Sequence, residues 1–214
     1  MRLVIFGRHG AGKGTQSKLL ALHLDVPHIS TGDIFRAAIS AGSEIGLAAK
    51  AIMDRGDLIP DDVLRGIVAE RLAQHDAANG WLLDGFPRTP KQATDLDEIA
   101  DPPLDLAINL EVPEDVVVQR IGSRRVCEAS GHIYTVGDPA ADSARCEIDG
   151  SPVVQRDDDT DEAVRHRLAL YAQQTEPLLG RYDRAGMLVT VDGVGDVDEV
   201  AQRVASAVEG RKAT

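Results

Sequence analysis

Aromatic residues, lysine and cysteine are all scarce in this chain. Phe, Tyr and Trp together make up 3 % of the 214 residues, too few for the stacking platforms of a single-strand nucleic-acid binder. Cations are outnumbered: 23 Lys and Arg stand against 35 Asp and Glu, a net charge of −12. Such a surface argues against wrapping a nucleic-acid backbone, where affinity comes from neutralising phosphates. It leaves a small phosphorylated ligand open, because a local basic pocket fits inside an acidic shell. Two cysteines, Cys127 and Cys146, make no disulfide framework. The first apolar run, Leu3-Val4-Ile5-Phe6, is cut by Gly7 and falls short of the roughly 7–15 residues of a signal-peptide core. No stretch reaches the ~20 apolar residues of a membrane span. These absences point to a cytoplasmic protein with neither a membrane nor a nucleic-acid partner.

What is present is an ordinary globular composition, 43 % hydrophobic and 27 % charged, enough for one core domain with small insertions. Short apolar runs at residues 3–6, 27–29, 81–84, 106–110 and 187–191 alternate with longer amphipathic stretches. Continuous apolar runs suit strands buried on both faces, so the pattern predicts an α/β fold with a parallel five-stranded sheet covered by helices. Its ligand site belongs beyond the carboxyl ends of the strands. Thr89-Pro90 and Thr160-Asp161-Glu162 read as helix starts, a cap followed by proline or by acids. From the second of these, Val164, Leu168, Tyr171 and Leu178 are expected along one face of a long helix. Two segments break the rhythm. Residues 30–59 read as a mostly helical insert. Residues 122–159, rich in Gly, Asp and Ser and holding both cysteines, read as a long irregular loop of the functional kind.

Gly7-Arg8-His9-Gly10-Ala11-Gly12-Lys13-Gly14-Thr15 follows the first strand and opens a helix. Glycines let the backbone curl so that N–H groups face a phosphate, the helix N-terminus adds partial positive charge, and Lys13 reaches the outer phosphates. Gly14 stands where Ser or Thr is usual, with the hydroxyl one place later at Thr15.

That variant, Gly-x-x-Gly-x-Gly-Lys-Gly-Thr-Gln, resembles the loop of nucleoside monophosphate kinases. Further segments are similar to the adenylate kinase family of the long-lid bacterial type: Ser30-Thr31-Gly32-Asp33, Leu83-Asp84-Gly85-Phe86-Pro87-Arg88, Gln92, Arg124-Arg125-Val126, Arg156 with Asp158-Asp159, and Arg165-x-Arg167-Leu168. The resemblance covers essentially the whole chain. It implies a P-loop NTPase type of core from residues 1–29, 60–121 and 160–214, an NMP-binding insert at 30–59 and a lid at 122–159. It implies reversible, Mg²⁺-dependent transfer between ATP and AMP to give two ADP, by a monomer with no covalent intermediate.

By the same resemblance, Lys13, Arg88, Arg124, Arg156 and Arg167 are the catalytic set. ATP falls to Gly10, Ala11, Gly12, Lys13, Gly14, Thr15, Arg120, Arg124 and Tyr134, with Arg120 stacking on adenine. AMP falls to Thr31, Arg36, Met53, Asp57, Leu58, Ile59, Gly85, Arg88, Gln92, Arg156 and Arg167. Arginine suits such positions because its planar fork binds phosphate oxygens in bidentate fashion. Gln92 offers the paired donor and acceptor that an adenine edge requires. Asp84, ending a buried strand, is expected to orient waters on Mg²⁺; Asp33 shares that role or is a plain helix cap.

The chain departs from the family in three places. His9 stands where proline is common. The stretch after Tyr134 lacks the usual Pro-rich basic character. Cys127-x-x-Ser130 and Cys146-x-x-Asp149 are spaced like a zinc ribbon, but Ser130 is a poor ligand. Cys127, Cys146 and Asp149 would ligate zinc, with His132 as a substitute fourth donor. The alternatives are a metal-free polar lid, which the sequence favours, or a redox-labile cysteine pair. A kinase for another base and a non-catalytic nucleotide sensor are the competing functional readings.

Overall fold

A computed structural model describes residues 1–212. Strand β1 (Arg2–Phe6) runs through the glycine loop into α1 (Lys13–Leu24). β2 (His28–Ser30) passes directly into α2 (Thr31–Ser40), then α3 (Glu44–Asp54) and α4 (Asp61–Leu72). β3 (Trp81–Asp84) precedes α5 (Pro90–Ile99), and β4 (Leu106–Glu111) precedes α6 (Glu114–Ser123). After β5 (Arg124–Cys127) and β6 (Ile133–Thr135) come the one-turn α7 (Pro139–Asp142) and β7 (Val153–Val154). α8 (Asp161–Leu170), a π-helical segment (Tyr171–Thr175), α9 (Glu176–Arg184), β8 (Leu188–Asp192) and α10 (Val197–Lys212) complete the described chain.

The main sheet has the order β2-β3-β1-β4-β8, and every pairing is parallel. Its strands are the five expected ones, to within one or two residues. Side chains alternate between its faces. Leu3 and Ile5 enter an aliphatic core with Leu20, Ile108, Val191 and Val204, while Val4 and Phe6 enter a second core on the other face. The few aromatics concentrate there: Phe6, Phe35, Trp81, Phe86 and Tyr182 all belong to this second core, with the Phe6 and Tyr182 rings 5.4 Å apart. The register sets Ile5 and Ser30 beside Asp84. Phosphate loop, α2 and Asp84 therefore meet at the carboxyl end of the sheet.

Two expectations fail. Residues 122–159 are not an irregular loop but carry an antiparallel sheet of order β6-β5-β7 plus α7. Strands of two to four residues are too short to leave a legible period. The helix from Asp161 also does not present one face throughout. Val164 and Leu168 pack in the aliphatic core, whereas Leu178 packs in the aromatic one. The π-helical segment between them widens the turn and rotates everything that follows. Pro177, at the start of α9, has no N–H to continue the regular ladder.

Candidate functional site at the sheet's carboxyl end

The glycine loop is shaped by what stands behind it. Gly10 adopts φ +86°, and a Cβ there would lie 2.7 Å from Ile121 Cγ1 and 2.9 Å from the Val117 carbonyl, so no side chain fits. Gly12 is the left-handed cap of α1, whose first N–H groups lack intrahelical partners and face the loop. Lys13 Nζ donates to the carbonyls of Gly7 at 2.8 Å and Arg8 at 3.0 Å. Burial, with Arg88, Arg124 and Arg167 adding repulsion against the pull of Asp84, lowers the Lys13 ammonium to about 8. Asp84 abuts Gly14, where a Cβ would lie 3.7 Å from its Oδ2. Burial pushes the Asp84 carboxyl up, but His28, Lys13 and Arg88 outweigh it and hold the group below the usual range. His28 Nε2, 3.8 Å from Asp84 Oδ2, is buried and has no partner within hydrogen-bond distance among the described residues.

Around this loop stand five arginines. Arg124 forms a two-pronged pair with Asp159, at 2.9 and 2.5 Å. Arg167 binds Asp158 Oδ2 at 2.5 Å and reaches across to the Met53 carbonyl at 3.0 Å. Arg36 pairs with Asp33 at 2.5 Å. Arg88 has no carboxylate partner among the described residues; its Nε donates to the Gly85 carbonyl at 2.8 Å. Gly85, at φ +91°, has no room for a side chain, since a Cβ would lie 2.5 Å from Thr31 Oγ1 and 2.9 Å from Arg88 Nη2. Among the described residues Arg156 has no ion pair either, and its buried Nε lacks a hydrogen-bond partner. Burial, then Arg36 and Arg124, draw the Arg156 guanidinium down to about 10, and burial lowers Arg88 as well. The site is a cleft of mutually repelling cations, only some of them neutralised.

Thr31 Oγ1 donates to the Asp84 carbonyl at 3.4 Å, beside Gly85 and Arg88. Gln92 is fully buried, and its amide is engaged inside the protein: Oε1 accepts from Arg88 N and Nε2 donates to Asp61, both at 2.7 Å. One lone pair and one N–H remain for a base. Leu58 lines a groove with Thr89 and Leu170, whereas Ile59 packs into the aromatic core. Asp57 is turned aside to Arg55 and His166, both at 2.8 Å. Arg120 is tied to the carbonyls of Ala11 and Gly193. Asp33 is not the cap of α2; Ser30 is, accepting from Asp33 N at 3.2 Å. Tyr134 Oη contacts Cys146 Sγ at 3.2 Å and is part of the second sheet's small core.

Cys127, His132, Cys146 and Asp149 bring four donor atoms within 4.8 Å of one another. Ser130 Oγ sits among them, 3.0 Å from Cys127 Sγ and 2.6 Å from His132 Nδ1. Burial would raise the Cys146 thiol, but hydrogen bonds from Tyr134, backbone amides and His132 draw it down to about 6. His132, only a substitute donor in the sequence reading, thus completes the set.

Thr175 escaped the sequence reading, and Asp158 and Asp159 stood in it as part of a motif without a role. Asp158 and Asp159 are the carboxylates that hold Arg167 and Arg124; two adjacent acids between two expected site arginines were the available signal. Thr175, in the π-helical segment, donates to the Arg88 carbonyl at 2.9 Å. Nothing in the local sequence announced it.

Residues 5–187 match the family model described as adenylate kinase. Among similar curated proteins, the adenylate kinase of Streptomyces avermitilis is 48 % identical over all of both chains. That of Methanosarcina mazei is 48 % identical over 95 % of this chain and 96 % of its own. That of Thermodesulfovibrio yellowstonii is 46 % identical over 98 % and 99 %.

Proposed function

The chain belongs to the adenylate kinase family, and from that premise we propose how its own residues do the work. It is a nucleoside monophosphate kinase catalysing ATP + AMP ⇌ 2 ADP. The observation that carries the assignment of roles is the convergence of Lys13, Arg36, Arg88, Arg124, Arg156 and Arg167 on one loop, where burial and neighbouring cations together lower the proton affinity of Lys13, Arg88 and Arg156. Such a field is relieved by a polyanion.

In this reading the loop from Gly10 to Thr15 and the N-terminus of α1 take the donor phosphates. Lys13 leaves the carbonyls of Gly7 and Arg8 to reach them. Arg36 and Arg88 hold the AMP phosphate. One of its oxygens attacks the γ-phosphorus in line, and the bond to the ADP leaving group breaks. Arg124, Arg156 and Arg167 meet the charge on the equatorial oxygens, a transition state that asks for positioning and electrostatics rather than an enzyme nucleophile. Asp158 and Asp159 hold two of these arginines until phosphate takes them. Residues 30–59 bind the monophosphate, and residues 122–159 close over the site and exclude water. Thr31, Met53, Leu58 and Gln92 are placed around the acceptor base, and Arg120 and Tyr134 on the donor side, as weaker parts of the same proposal. A cytoplasmic monomer acting on free nucleotides belongs to it too.

Mg²⁺ fits Asp84, which stays ionised against burial and abuts the loop at Gly14. Asp33, committed to Arg36, fits less well. When bound, the ion would supply neutralising charge for the donor phosphates.

A coupled assay of ADP formation with AMP, CMP, UMP and GMP as acceptors tests the reading. AMP is expected to be preferred; tight binding of ATP and AMP without ADP formation would make the protein a sensor.

The four-donor cluster favours zinc in the lid. Tetrahedral zinc needs ligand atoms roughly 3.3–3.8 Å apart, given bonds of about 2.0–2.3 Å, and these lie within 4.8 Å. Zinc there would tie β5, β6 and the loop after α7 together. Elemental analysis of protein purified without chelator should find one zinc per chain, lost in His132→Ala and kept in Ser130→Ala. Zinc-free protein restores the polar lid.

A further inference from the structure

His9 stands in the phosphate loop but has no place in the mechanism above. Its Nε2 lies 3.2 Å from Arg124 Nη2, 3.3 Å from Arg167 Nη1 and 3.4 Å from Asp159 Oδ1. The charged groups around the ring are therefore Lys13 on α1, Arg124 on β5, Arg167 on α8, and Asp159 ahead of α8. A guanidinium only donates. Two such donors, at 3.2 and 3.3 Å, stand closer to Nε2 than the one carboxylate at 3.4 Å, an arrangement that favours the neutral ring with Nε2 as acceptor. Burial, opposed by Asp159 and reinforced by the three cations, agrees, holding the imidazole down to about 4.

We propose that His9 is a further ligand of the nucleotide's phosphate chain, and that it takes up a proton from solvent as the chain arrives. This inference rests on the phosphoryl-transfer reading. The phosphate oxygens that draw Arg124 and Arg167 toward them leave the Nε2 lone pair without donors. They also reverse the sign of the local charge, from three cations against one carboxylate to a site dominated by a polyanion. Nearby negative charge stabilises imidazolium, and the new N–H then donates to a phosphate oxygen. The family's usual proline at this place has no group that can do this.

The test is ¹⁵N NMR of the histidine ring, assigned through the backbone so that it does not depend on any variant. In the protein alone, His9 is expected to stay neutral down to about pH 5. With saturating ATP, its titration midpoint should move up by roughly two pH units, within the range that charge neighbours produce. The kinetic counterpart is the KM for ATP. Protonated His9 binds more tightly, so wild-type KM should rise with pH between the free midpoint and the raised one, up to about tenfold per unit, and level off above it. His9→Asn, polar but unable to take a proton, should lose that segment of the profile. A ring still neutral at pH 6 with ATP bound, or superimposable KM profiles, overturns the proposal. An ADP-formation assay on the same samples separates the two readings: turnover without the His9 shift sinks this inference alone, and no turnover sinks the reading beneath it.

Discussion

Arg88 is held by its neighbours at the backbone while its guanidinium has no carboxylate to neutralise it. Gln92 takes its N–H, Thr175 takes its carbonyl, and the Gly85 carbonyl takes its Nε. That combination, a fixed stem and an unneutralised fork, is what a phosphate ligand needs. Arg88→Ala is expected to cut turnover by about 10²–10³, as removal of one preorganised donor does, with the melting temperature nearly unchanged; near-normal activity removes it from the catalytic set. Lys13 gives a pH signature. Its ammonium titrates near 8, and only the charged form binds phosphate. The KM for ATP should therefore climb as pH rises from 7 to 9.5, a limb separate from the His9 limb at lower pH and kept in His9→Asn. At this scale the sequence was informative about which cations matter, because each sits in a motif with its own spacing. It was silent on how they are held. Asp158, Asp159 and Thr175 act through the fold, from 9 to 87 positions away from the arginines they engage.

Among the elements, α8 illustrates how local and long-range signals divide. Its start is local: Thr160 accepts from Ala163 N at 3.2 Å, as the cap followed by two acids leads one to expect. Thr160→Ala should cost about 1 kcal/mol, seen as a lowered urea midpoint at constant m. Because α8 carries Arg167, turnover should fall too, but far less than in Arg167→Ala. The π-helical segment downstream is not local. It lets one helical rod serve two cores, Val164 and Leu168 in one, Leu178 and Tyr182 in the other, and no 3.6-residue period survives such a change of face. The five buried strands were legible because each is a compact apolar run. The strands of the second sheet were not, since β5 opens on Arg124-Arg125 and β7 is only Val153-Val154, too short for a contrast to show.

For the whole molecule, the net charge of −12 and the cationic cleft are two separate facts. The acidic exterior repels itself, a destabilisation that salt screens over a Debye length of roughly 10 Å at 0.1 M. Raising NaCl from 0.05 to 0.5 M should raise the melting temperature by a few degrees; a fall would mean that the surface ion pairs outweigh the repulsion. The junctions of the proposed lid carry a mechanical consequence. α6 ends at Ser123 and β5 begins at Arg124 with no linker between them, and the return strand reaches α8 just after Asp159. Arg124 and Asp159, bonded to each other, thus mark two pivots of a door lying side by side. In the proposed closure, a rotation about that axis moves the residues farthest from it most while the two pivot residues barely travel. Arg124 therefore stays beside the phosphate loop throughout and needs only to exchange Asp159 for phosphate, while the travel falls on the outer edge of the panel.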